Sequence, residues 1–201
     1  MKKQQFVFVL ILFLIIILSA GCTSKNNNVA TLRVNQDSNY VETFEDLSLG
    51  NIFDFEFTLP EAENKWVNLW VDSYVDGVKQ ADPLISLNYG NSLNEADEGH
   101  LGFALVTLDS ADLLAILYAP GVSGRGVIER NPQEGVISSF EIINEQESIE
   151  IKTGEPTILA VYRETTNHSI RTVNLKDAAS VEQIIKQDDL VYLLKIKIEE
   201  E

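Results

Sequence analysis

Along most of this chain apolar residues alternate with polar ones, and a period of two predicts β-strands. Phe53, Phe55 and Phe57 alternate with Asp54 and Glu56, so one face carries three rings and the other the acids. A helix would scatter those rings around its circumference. Farther on, Val67, Leu69, Val71 and Val75 share one face, while Trp66, Asn68, Trp70, Asp72 and Tyr74 share the other. Asp76-Gly77 then supplies the positive-φ pair of a tight turn, and residues 78–80 begin the return strand of a hairpin.

Further strands are predicted over 83–89, 101–108, 113–118, 136–143, 148–152, 157–164, 169–175 and 190–198. The segment 109–119 also fits a helix through Leu113, Leu114 and Leu117, but the Pro120-Gly121 stop and the neighbouring strands favour a sheet. In 190–198, Leu194, Ile196 and Ile198 alternate with Lys195 and Lys197, which predicts one wet face and suits an edge strand. The pattern supports one short helix over 181–187, with Ser180 as N-cap, Gln183 completing a capping box and Val181, Ile184 and Ile185 as its apolar stripe. About ten short strands and one helix predict an all-β fold. The expected form is an antiparallel β-sandwich, immunoglobulin-like or jelly-roll-like; a closed barrel fits less well. Helices and strands do not alternate, which argues against a doubly wound α/β fold. Residues 30–201 read as one domain.

The N-terminus follows a different pattern. Lys2 and Lys3 precede an unbroken apolar run over 6–18, followed by the small residues Ser19, Ala20 and Gly21. That order is a secretory signal, and the run falls short of the roughly 20 apolar residues a spanning helix needs. Leu18-Ser19-Ala20-Gly21-Cys22 resembles the lipobox of bacterial lipoproteins, with Ser19 where leucine is commonest. The resemblance implies a diacylglyceryl group on Cys22, cleavage just before it, and a mature chain held on the extracytoplasmic face of the cell membrane. Two acyl chains anchor firmly where one binds reversibly. Residues 1–21 are then the signal peptide and 22–29 a lipidated tether.

Cys22 is the only cysteine, so the mature domain has no disulfide and no thiolate metal cluster. The chain carries 15 basic and 31 acidic residues for a net charge of −16; loss of Lys2 and Lys3 with the leader makes it −18. Nucleic acid is a disfavoured partner, because binding it requires clustered cations. An anionic membrane surface repels the body of such a protein, which leaves the lipid to hold it there.

No motif calls for a cofactor. His100 and His168 lie far apart without metal-ligand spacing. The stretch 94–100 reads as a solvated acidic loop; the functional alternative is a metal or acid/base role for His100 with Glu95, Asp97 and Glu98. The run 121–126 misses both the nucleophile elbow, since Arg125 stands where the last glycine belongs, and the phosphate loop. It reads as a flexible loop in which Arg125 could meet an anion. Asn167-His168-Ser169 reads as a turn.

Trp66, Trp70 and Tyr74 recur every fourth residue, so successive rings on one strand face lie ~13 Å apart, near the repeat at which rings stack on sugar units. Large rings on a sheet face are ordinarily core, and with valines opposite the strand could be buried on both sides. If exposed, the rings form a platform. Three functions are therefore compatible with the chain. One is a non-enzymatic binding module for cell-wall glycan or another exported protein. The second is a carboxylate-dependent cell-wall hydrolase, and the third a partner-sequestering, immunity or assembly protein.

Overall fold

The computed structural model describes residues 29–108, 112–130, 134–143 and 148–200. The leader, Cys22 and the tether up to Asn28 lie outside them, as do residues 109–111, the start of the segment that also fitted a helix. In chain order the strands are β1 (Ala30–Val34), β2 (Gly50–Pro60), β3 (Lys65–Val75), β4 (Val78–Lys79), β5 (Ile85–Gly90), β6 (Ala96–Thr107), β7 (Leu113–Ala119), β8 (Val122–Ile128), β9 (Ile137–Ile142), β10 (Ile149–Ile151), β11 (Thr157–Thr165) and β12 (Leu190–Glu200). Helix α1 spans Asn39–Asp46 and α2 spans Ala178–Gln187.

Two antiparallel sheets form. Sheet A has the order β10-β1-β2-β6-β7-β8, and sheet B the order β4-β3-β12-β11-β9, with β5 also on β3. The all-β sandwich expected from the periodicity is the fold. Its core lies where the apolar faces meet: Phe55, Phe57, Leu101, Phe103 and Leu117 from sheet A, Val67, Leu69, Val71, Leu194 and Ile196 from sheet B, all 1% exposed or less. Rings bridge the layers in a chain from Phe103 through Phe53, Phe140 and Tyr162 to Tyr192, with centroids 4.6 to 6.4 Å apart. Such offset contacts add to the stabilisation that the buried area itself provides.

Several expectations are corrected. The stretch 121–126 is not a loop: β8 pairs with β7 along its whole length, and only Gly121, at the turn, has positive φ (72°). Gly124 and Gly126 are extended, so they reflect a light inward face and not a need for left-handed backbone. β12 is central, paired to both β3 and β11, and its lysines mark a wet face without marking an edge. Residues 169–175 form no strand. Their backbone is held by side chains of sheet B instead, with Glu141 Oε2 accepting from the Val173 amide at 2.7 Å and Arg163 donating to the Arg171 carbonyl.

The predicted helix starts earlier than Ser180 implied. Asp177 is its N-cap, accepting from the Ala179 amide at 3.1 Å, and Ser180 donates to the same carboxylate at 2.7 Å. Helix α1 was not anticipated. Ser38 caps it by accepting from the Val41 amide at 3.2 Å, and Tyr40, Phe44 and Leu47 fall on one side at helical spacing.

Candidate functional site

The two outer faces of the sandwich carry the candidate chemistry. On sheet B, the alternation of β3 turns Val67, Leu69 and Val71 inward and leaves Trp66, Trp70 and Tyr74 half-exposed on the outside. Smaller β-branched and leucine side chains fill the core on the inner face, while Tyr74, opposite the buried Val191, packs against the edge of the core cluster. The two indoles are fixed by their neighbours. Trp66 lies opposite Gly90 of β5, where an added Cβ would fall 2.6 Å from the indole Cε3, so the ring occupies the space a side chain would take. Trp70 Nε1 donates to Asp72 Oδ1 at 3.2 Å.

Asp72 anchors this face. Its side chain is 4% exposed and is paired with Lys195 at 2.8 Å and Lys79 at 3.0 Å. Burial opposes its ionisation, but the two ammonium groups more than offset that and hold the carboxyl below its ordinary value. Asn68 donates to Glu199 at 2.8 Å, and Lys197 pairs with the same carboxylate. The outcome is a row of rings flanked by amide, ammonium and carboxylate groups. At the far end of the sheet α2 and the crossover before it cover the outside, burying Val161, Val191 and Leu193.

On sheet A, Asp54 is a surface-parity residue of β2 that is nevertheless buried, with a side-chain exposure of 0%. His100 does not sit in an acidic loop; it is within β6, and its Nδ1 is 2.9 Å from Asp54 Oδ2. The Tyr118 hydroxyl donates to Asp54 Oδ1 at 2.9 Å and lies 3.2 Å from the Phe53 carbonyl. Gly102, directly opposite Tyr118, makes this possible: a Cβ there would fall 2.0 Å from the Phe53 carbonyl oxygen and 2.4 Å from the phenol oxygen. Burial, then the Asp54 charge and hydrogen bond, push the Tyr118 hydroxyl far above its ordinary range, so it stays a donor. Tyr40 of α1 covers the cluster, its ring 4.4 Å from that of His100 and 5.7 Å from that of Tyr118. Between α1 and the sheet lies a cavity of about 680 Å³ walled mainly by apolar groups. Asp54 reads in sequence as a wet-face acid, and only the strand register reveals that His100 and Tyr118 converge on it.

A third charged cluster holds the crossover. Arg163, with a side chain 2% exposed, pairs with Glu141 at 2.5 Å and Asp188 at 3.1 Å. Burial raises the Asp188 carboxyl, Arg163 opposes that, and the charges of Asp189 and Glu141 add to it. With Arg163 bonded to both acids, the cluster ties 166–188 to sheet B.

The remaining sequence candidates stay apart. His168 is exposed in the bend after β11 and Arg125 on β8 of sheet A, and Glu95 and Glu98 are exposed, while Asp97 accepts from Ser92 at 2.8 Å. Among the described residues no three His, Cys, Asp or Glu side chains are grouped to hold a metal, and no helix is long and apolar enough to cross a membrane. Compared with models of protein families, with curated proteins and with solved structures, the chain matches none.

Proposed function

We propose that this chain is a lipoprotein anchored through Cys22 on the extracytoplasmic face of the cell membrane, where it acts as a non-enzymatic binding module for cell-wall glycan. The observation that carries the binding role is the outer face of β3. Trp66, Trp70 and Tyr74 stand half-exposed while Val67, Leu69 and Val71 fill the core. With Trp66 seated over Gly90 and Trp70 bonded to Asp72, the indoles lose little entropy on stacking against a sugar, and Asn68, Lys197 and Glu199 beside them supply partners for hydroxyl groups. The anchor rests on the lipobox, and export to the membrane surface brings wall glycan within reach.

The test is co-sedimentation of the native lipidated protein with insoluble wall glycan. Wild type is expected in the pellet, and Trp66→Ala with Trp70→Ala in the supernatant with unchanged circular dichroism. Equal sedimentation of the two would sink the platform. For the anchor, palmitate labelling in cells is expected to be lost in Cys22→Ala; labelling that persists removes the lipid from Cys22.

A further inference from the structure

The outer face of sheet A holds a second site, independent of the aromatic row. Helix α1 lies over β2, β6 and β7, yet none of its residues is buried, although Tyr40, Phe44 and Leu47 form an apolar stripe. It stands off the sheet, and the cavity of about 680 Å³ beneath it falls within the range of small-molecule pockets. Phe44, Ile52, Ala104, Ile116 and Pro120 supply apolar walls. The Thr43 hydroxyl is already committed, donating to the Asn39 carbonyl at 2.6 Å.

Two side-chain polar groups in this lining are left to recognise a ligand, the Tyr40 hydroxyl on the helix and His100 Nε2 on the sheet, and only the histidine is held in place by a buried partner. Asp54 accepts from Tyr118 on one oxygen and from His100 on the other, which places a hydrogen on Nδ1 and, in the neutral imidazole, leaves the lone pair on Nε2. His100 is 39% exposed at the side chain, lines the cavity, and makes no hydrogen bond through Nε2 among the described residues. The buried carboxylate fixes both the tautomer and the ring, as the orienting carboxylate of an acid/base histidine does. An apolar wall disfavours a charged body, because its desolvation would go uncompensated, whereas a single hydroxyl needs only one acceptor.

We propose that the groove between α1 and sheet A binds a small uncharged molecule with an apolar, ring-sized body and one hydroxyl donor, the hydroxyl bonding to His100 Nε2. The chain has only two histidines, so ¹⁵N-histidine labelling of the full-length protein, with His168→Gln to assign the signals, reads the site directly. The probes are 4-ethylphenol and 4-ethylanisole, alike in shape but different in having a donor. The phenol is expected to shift the His100 Nε2 resonance and to bind at least tenfold more tightly than the ether. His100→Phe is expected to abolish that preference. Ile116→Phe, which fills the groove without touching Asp54 or His100, is expected to abolish binding of both probes. Equal affinity for phenol and ether in wild type overturns donor recognition. Failure of 4-ethylphenol to move the His100 signal, or binding that survives Ile116→Phe, overturns the site.

Discussion

Each outer face of the sandwich buries a carboxylate at a position whose strand parity points to solvent, and the two differ in what surrounds it. Asp72 on sheet B is bonded to two ammonium groups and an indole N–H. Asp54 on sheet A is bonded to a phenol and an imidazole. In the first both carboxylate oxygens are taken by cationic or N–H donors, so it fixes Trp70 beside it and offers no free acceptor. The second fixes a ring whose far nitrogen remains available, beneath an apolar roof. Both faces also seat an aromatic ring over a glycine across the strand pair, Trp66 over Gly90 and Tyr118 over Gly102. The shared device shows how a sheet surface can hold a large ring flat: one strand gives up its side chain so that its neighbour can lie across it.

The largest effect that separates the faces is expected at those glycines. Gly102 sits in β6, with β2 on one side and β7 on the other, and an added methyl would meet the Phe53 carbonyl at 2.0 Å in a strand that cannot retreat. Gly90 ends an edge strand, where an added methyl would meet the Lys65 carbonyl at 2.4 Å and the Trp66 ring, and β5 is free to shift outward. Gly102→Ala is expected to destabilise the protein by about 3 kcal/mol and Gly90→Ala by about 1 kcal/mol, as overpacking at rigid and yielding sites does. Urea unfolding at constant m-value measures both. Equal losses would mean that the central and edge positions are equally able to relax.

A smaller difference is expected in the pH dependence. The folded state holds the Asp72 carboxyl below its ordinary value of 3.8, so its contribution is present above that pH and fades as pH falls through the lower folded value. Tyr118 is raised above its ordinary value of 10.0, so its contribution is present below pH 10 and fades as the pH climbs beyond. Sheet B should therefore govern part of the acid limb of stability, and sheet A part of the alkaline limb, which Tyr162 shares because it is raised too. Melting temperatures across pH are expected to flatten on the acid side in Asp72→Asn and on the alkaline side in Tyr118→Phe. If each substitution lowers stability equally at every pH, the titration of these groups is not what shapes the limbs.

How much of this was legible follows from which interactions are local. The Phe53, Phe55, Phe57 alternation, the Asp76-Gly77 hairpin and the aromatic row of β3 are properties of one strand, and period-two reading finds them. Helix α1 was legible too, since Ser38 and the 40, 44, 47 spacing give a cap and a stripe, but a short amphipathic segment is easily passed over between long strands. The Asp54 cluster was not legible. His100 is 46 residues from Asp54 and Tyr118 is 64 residues away, and they meet only through the β2–β6–β7 register. Glycine misled at 124–126, where it marks a light inward face of β8 while its usual sequence meaning is a turn; at 102, inside a predicted strand, it gave no sign of the ring that lies over it.

The smallest expected effect is the most specific to the aromatic platform. Trp70→Phe keeps a ring on the outer face of β3 and removes the N–H that bonds Asp72 at 3.2 Å, together with the indole's second ring. Asp72 retains both ammonium partners, so no charge is left unsatisfied, and stability should fall by less than about 1 kcal/mol. The ring, however, loses the bond that sets its plane. If flat presentation is what makes the row bind glycan, retention on wall material should fall severalfold while urea unfolding barely changes. If the row contributes apolar area alone, retention should fall only in step with ring size, Trp70→Phe lying between wild type and Trp70→Ala. That split separates a surface organised by Asp72 from a merely greasy one, and it does so without disturbing Asp54 or the groove on the opposite sheet.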